Sequence, residues 1–294
     1  MKKIALALGG GGARGNAHIG VLRVLENAGY EIAAIAGTSF GGLVAAFYAA
    51  GFSPDEIEDL FSSVDQSKLY ELGLHAKPGI LGLDRIHLWL NENLGEKSFE
   101  ETRIPCALTA ADLNSNREVT LNKGALKEAI LGTIAVPGIF PPHKVDGRYL
   151  VDGGVLNPVP VSVARELAPK LPVIAVPLTM PGLPPSTYHL QVSLPSVIPE
   201  TIVQRITRLN VAQAMDVFLH SLDMGFRSIT ELRLEKEPPE YVIRPDVEGI
   251  GLLDQVDVRA VVRLGEEATE TALPEIKKAI RHSKGFFNIL FGKD

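Results

Sequence analysis

Gly37-Thr38-Ser39-Phe40-Gly41 follows the apolar run Ile32-Ala33-Ala34-Ile35-Ala36 and opens an apolar stretch. A serine at a sharp strand-to-helix turn, flanked by glycines that permit strained backbone and close approach, reads as a nucleophile elbow. The same five residues also spell a Gly-rich turn whose serine caps the next helix. In the first case the chemistry is acyl transfer, with the serine oxygen attacking a carbonyl carbon.

A second glycine cluster, Gly9-Gly10-Gly11-Gly12-Ala13-Arg14-Gly15, directly follows a first apolar strand over residues 4–8. It contains G-x-G-x-x-G at Gly10, Gly12 and Gly15, but a dinucleotide site needs an acidic residue at the end of the next strand to hold the ribose. Here that strand ends in Ala36-Gly37, and no G-K-[ST] closes a P-loop. The better reading is a bend whose backbone N–H groups, at a helix N-terminus, face a developing anion. Asp152, in Val151-Asp152-Gly153-Gly154, either projects its carboxylate from the sheet edge or closes an ordinary D-G turn. Upstream, residues 133–142 (Thr-Ile-Ala-Val-Pro-Gly-Ile-Phe-Pro-Pro) form a Pro-rich bend, read as the wall of an apolar pocket or as a rigid loop.

The elements that must position these residues alternate. Residues 4–8 and 32–36 read as strands, 17–28 and 42–50 as helices, so a mostly parallel sheet covered on both faces is expected. Ser53 and Pro54 start a short helix, and Asp84 caps another that runs to Leu94. Strands follow at 106–111, 118–121, 149–151, 173–176 and 241–243, with a helix at 126–134, a long one at 201–226 and a last one at 258–280 that Pro274 should kink. Residues 68–82 read as irregular, and 177–200 as a Pro-rich flap bordering an acyl-chain pocket. The whole chain, 1–294, reads as one domain.

Apolar content of 46% and charged content of 22% are those of a globular protein. A net charge of −6, with no Lys/Arg stripe, argues against a nucleic-acid partner. Cys106 is the only cysteine, which excludes an intrachain disulfide and a cysteine-built zinc site. The apolar run after Lys2-Lys3 is too short for a signal core, and no run approaches the roughly 20 residues that span a bilayer, so a soluble cytoplasmic protein is expected. The histidines lack metal-ligand spacing, and no metal is expected. His18 reads as a packing residue. His143 competes as a general base with Asp112 as its acid, a triad that leaves Asp152-Gly153-Gly154 unexplained. The C-terminal run Gly285-Phe286-Phe287-Asn288-Ile289-Leu290-Phe291, after Lys277, Lys278, Arg281 and Lys284, reads either as packing on the domain or as peripheral membrane contact.

Taken together, the G-G-G-x-R-G cluster with the following Ala-His-Ile-Gly-Val-Leu, the Gly-Thr-Ser-x-Gly-Gly elbow, Ala-x-Pro-Gly-x-Phe-Pro-Pro and Asp-Gly-Gly resemble the patatin-like phospholipase family. Within it, they resemble the bacterial members allied to neuropathy target esterase. The resemblance is strong over about residues 3–176 and weaker in the tail. It implies a three-layer α/β/α sandwich and a Ser–Asp dyad in which Ser39 is the nucleophile and Asp152 its base. Gly10, Gly11 and Gly12 supply the oxyanion hole, and Arg14 fixes their loop. Relatives commonly carry Ser where this chain has Thr133, and plant members carry Asp at Gly9. The implied activity is hydrolysis of phospholipid, lysophospholipid or related acyl esters through an acyl-enzyme, with no cofactor. An acyltransferase, a general carboxylesterase and a non-catalytic lipid-binding regulator are the alternatives.

Overall fold

The computed structural model describes residues 2–65, 83–181 and 200–291. The irregular stretch expected over 68–82 and residues 182–199 of the flap expected over 177–200 lie outside the described residues, as do the side chains of the C-terminal apolar run.

The first part of the chain is β1 (Lys2–Leu8), α1 (Ala17–Asn27), β2 (Tyr30–Thr38), α2 (Phe40–Ala49), α3 (Pro54–Ser62), α4 (Asp84–Leu94), β3 (Cys106–Asp112) and β4 (Arg117–Leu121). There follow α5 (Leu126–Thr133), β5 (His143–Val145), β6 (Arg148–Asp152), α6 (Val161–Leu167), β7 (Val173–Val176), α7 (Glu200–Lys236), β8 (Tyr241–Val242) and α8 (Val258–Phe291). The strands form one 8-stranded sheet in the order β5-β6-β3-β2-β1-β7-β8, with β4 paired to β3. Strands β3, β2, β1, β7 and β8 are parallel to their neighbours in that series, while β4 and β6 run antiparallel to β3 and β5 antiparallel to β6.

The central strands are apolar on both faces, as a sheet covered on both sides requires. Their side chains alternate by size. Ile4, Leu6 and Leu8 of β1, Ile35 of β2, Leu108 of β3 and Ile174 of β7 face the larger core, which they share with α1, α2, α3, α4, α5 and α8. Ala5, Ala7, Ala34, Ala36, Ala107 and Ala175 face the other way, where small side chains let α6 lie close through Val161, Val163 and Ala164. The result is an α/β/α sandwich, as the sequence predicts.

Several boundaries differ from expectation. Ser53 caps α3 in a full capping box, whereas Asp84 is the first residue of α4 and caps nothing. The two late helices outrun their predicted ends at 226 and 280: residues 227–236 contain neither Gly nor Pro to stop the first, and the second continues through Gly285 to Phe291. The three-residue β5 is too short to stand out from the Pro-rich bend before it. Among the described residues, no helix is long and apolar enough to cross a membrane.

The larger core is built around Phe47, which is fully buried and packs its ring against Phe52, Phe61 and Trp89 at centroid distances of 5.2, 5.6 and 5.3 Å. Phe47→Ala removes those contacts and leaves a cavity. It should lower the unfolding free energy by about 3–5 kcal/mol in urea, read by the fluorescence of Trp89. Leu88→Ala, at a side chain 61% exposed, should change it by less than about 0.5 kcal/mol.

Candidate active site

The geometry of the site follows from one shared strand edge. β2 runs parallel to β3 and pairs with it as far as Thr38 opposite Thr109. β6 arrives from the other direction on the same edge and ends with Asp152 opposite Ala110. Two strand ends therefore meet over one peptide of β3, and the residue after Thr38 is Ser39. Topology alone brings Ser39 and Asp152 together from 113 positions apart in the chain.

Ser39 has φ 54° and ψ −128°, a left-handed conformation that a side chain resists. The turn is this tight because α2 starts almost against the end of β1. A Cβ on Gly41 would sit 2.5 Å from the carbonyl oxygens of Leu8 and Gly9. Ser39 occupies the N-cap position of α2, yet its side chain makes no capping bond. The capping alternative for this serine is therefore not built. Its N–H donates instead to Thr133 Oγ1 at 2.8 Å.

Asp152 is fully buried. Oδ1 accepts the Gly154 N–H at 2.7 Å, and Oδ2 has no hydrogen-bond partner. Burial pushes its pKa up to about 6, against the smaller opposing effects of the neighbouring Ser39 hydroxyl and the Gly154 N–H. The Ser39 hydroxyl is thus close enough to favour the carboxylate, while the contact stops short of a full hydrogen bond. Oδ2 is the acceptor left available.

The glycine bend lies beside them. A Cβ on Gly10 would come within 3.2 Å of Ser39 Cβ, so Gly10 supplies the room for close approach. Its N–H, however, already donates to Pro158 O at 2.9 Å, so of the three glycines expected to supply the oxyanion hole it is the one with its N–H engaged. Gly11 and Gly12 N–H have no backbone acceptor among the described residues and are the ones free to bind an anion. Gly12 has φ 57°, and a Cβ there would lie 1.9 Å from Leu252 O, so no other residue fits. Arg14, 4% exposed, ties the bend down: Nε donates to Ile250 O at 2.7 Å, and Nη1 pairs with Asp223 Oδ1 of α7 at 2.9 Å. Burial raises the Asp223 pKa, but Arg14 and Arg227 outweigh it and hold the carboxyl below its ordinary range. His18 is a packing residue, as its place in α1 predicts. Burial lowers its pKa to about 4, so the neutral ring donates from Nε2 to Gly9 O at 2.7 Å.

The competing triad is not assembled. Asp112 and His143 flank Leu150 from opposite sides of β6. Asp112 accepts from Asn114 N–H and Ser115 Oγ in its own turn, which lower its pKa, while His143 Nε2 bonds to Glu128 at 2.8 Å.

Ser39 and Gly12 open onto a cavity of about 140 Å³. Its walls are apolar and come from α2 (Phe40, Leu43), α3 (Phe61), α4 (Ile86, Trp89) and the bend at Ile134, Val136 and Phe140. The Pro-rich bend is therefore a pocket wall. Sequence reasoning passed over Thr38, Thr109 and Asp223, because a strand threonine or a helical aspartate carries no local mark of what it will meet.

The family model described as patatin-like phospholipase matches residues 6–165. An NTE family protein of Mycobacterium tuberculosis is 41% identical over 162 residues, covering 54% of this chain and 45% of that protein. A second protein of that family from the same species is 27% identical over 280 residues, or 92% of this chain and 46% of its own length. Patatin-like phospholipase domain-containing protein 6 of Mus musculus is 30% identical over 180 residues, 59% of this chain and 13% of that protein. The chain spans less than half the length of these relatives. Among solved structures, VipD from Legionella pneumophila superposes with a TM-score of 0.53 at 13% identity, over 93% of this chain and 67% of that one, a likeness of fold.

The strain at Ser39 has a measurable consequence. Glycine removes the Cβ that resists φ 54°, whereas alanine keeps it. Strain of about 1–3 kcal/mol, less the 0.5–1 kcal/mol that glycine loses in chain entropy, should leave Ser39→Gly about 1 kcal/mol more stable than Ser39→Ala in urea unfolding. Equal or reversed stabilities would show an unstrained elbow.

Proposed function

The chain belongs to the patatin-like phospholipase family, and on that premise we propose that it is a serine lipid acyl hydrolase working through Ser39 and Asp152. The observation that carries this reading is the buried Asp152 carboxyl, with one oxygen unpartnered, beside a serine held on a strained turn at the edge of an apolar cavity.

In this reading the acyl chain of the substrate lies in the cavity against Phe40, Phe61 and Trp89, which brings its carbonyl carbon to Ser39 Oγ. Asp152 Oδ2 takes the hydroxyl proton as Oγ attacks. A carboxylate of ordinary pKa near 3.9 is a feeble base, and each unit of increase improves proton transfer while most of the group stays ionised at neutral pH. The negative charge that forms on the carbonyl oxygen is met by the Gly11 and Gly12 N–H groups, assisted by the positive end of α2. When the C–O bond to the leaving alcohol breaks, Asp152 returns its proton to that alcohol and the acyl group remains on Ser39. A water then gives a proton to Asp152 and attacks the ester, and the fatty acid leaves as Oγ regains the proton. No imidazole is needed between serine and acid. The lipid ester as substrate rests on the family and on the apolar cavity.

The test is turnover of a chromogenic acyl ester. Ser39→Ala and Asp152→Asn should each lower kcat/KM by roughly 10³-fold or more, and the double variant should be no worse than either, because the two act as one unit. His143→Ala should keep its activity. Asp152 must be ionised to act as a base, so kcat/KM should fall as pH drops through a midpoint near the Asp152 pKa of about 6. An inactive His143→Ala beside an active Asp152→Asn would refute the reading.

A further inference from the structure

Three threonines are fully buried around the β3 peptide on which the two strand ends meet: Thr38, Thr109 and Thr133. Each hydroxyl has a single proton, and the contacts assign all three. Thr133 Oγ1 donates to Thr109 O at 2.6 Å while accepting the Ser39 N–H at 2.8 Å. Thr38 Oγ1 donates to Asn157 O at 2.9 Å, in the loop that follows Asp152. The 2.6 Å contact between Thr38 and Thr109 hydroxyls therefore takes its proton from Thr109.

Thr109 is the residue that touches both halves of the site. Through its carbonyl and Thr133 it holds the backbone of Ser39, and through its hydroxyl it holds the residue before Ser39. On the other side, Gly153 follows Asp152 and lies so close that a Cβ there would be 2.5 Å from Thr109 O and 2.6 Å from Thr109 Oγ1.

Resting on the function proposed above, we propose that Thr109 is a positioning residue for catalysis which, with Thr38 and Thr133, sets the separation between Ser39 Oγ and the Asp152 carboxyl. A filler of the same shape would serve the fold equally well. The hydroxyls serve the register of one strand end against the other, and misplacement of reacting groups by about 1 Å costs on the order of 10²-fold in rate.

Thr109→Val tests this, since it keeps the shape, keeps the Thr109 carbonyl and strands no backbone group. The expected result is a folded protein with kcat lowered about 10–100-fold and KM within about threefold of wild type. The acid limb of kcat/KM should move to higher pH, because a Ser39 hydroxyl that drifts from Asp152 no longer helps to hold its pKa down. Thr109→Ser, which restores the hydroxyl, should recover most of the lost kcat and the original limb. Should Thr109→Val not fold, Thr109→Ala removes the same hydroxyl, leaves the Thr38 bond to Asn157 O in place and carries the same expectations. Unchanged kcat and acid limb in a folded variant, or a change confined to KM, overturns the proposal alone. Undiminished turnover in Ser39→Ala overturns the function reading and this proposal with it.

Discussion

A carboxyl group sealed from water with one hydrogen bond where it has room for several is the constraint on which the rest of the molecule depends. Asp152 has only the Gly154 N–H and the nearby Ser39 hydroxyl to offset its desolvation. In the function proposed here, the free energy that the fold gives up by burying this charge makes the group a useful base. A second full hydrogen bond, or an arginine at the position of the free Oδ2, would stabilise the protein and remove the basicity. Arg14 is bound to Asp223 and Ile250 O, where it braces the glycine bend.

The rest of the architecture delivers a hydroxyl to that carboxyl. Parallel β2 and antiparallel β6 divide one edge of β3 between them, an arrangement that places two chain segments end to end without either crossing the sheet. The strained φ of Ser39 turns its side chain out of the strand direction, and the glycines around it let α2 begin against the tip of β1. Strain of this kind persists only where surrounding contacts over-determine the backbone. Here those contacts are the buried threonine hydroxyls and the helix that follows the elbow.

Much of this was legible in the sequence, for a physical reason. An apolar strand that ends in a glycine cluster, and a serine between glycines before an apolar helix, are local statements about backbone conformation, and local statements survive folding. The alternation of strand and helix carried the layer order as well. What the sequence hid was non-local. Gly10 looks like its neighbours until Pro158 O arrives to claim its N–H. Asp152, taken by its own residues, reads either as a projecting carboxylate or as a D-G turn, and only the fold shows that burial removes its solvent. Thr109 looks like any β-branched strand residue, because the partners that give it significance lie at positions 38, 133 and 153, on three different segments. The helix end at Lys236 was hidden for a simpler reason, since the polar composition of residues 227–236 is a weaker stop signal than Gly or Pro.

Covalent trapping reaches the central claim most directly. A fluorophosphonate reacts with a serine oxygen only when a neighbouring base has activated it. Intact protein treated with such a probe should gain one adduct, mapped by peptide mass spectrometry to Ser39, at a rate that falls as Asp152 becomes protonated and collapses in Asp152→Asn. An adduct on any other residue, or equal labelling of Ser39 in Asp152→Asn, would contradict the claim that this buried carboxyl activates this serine.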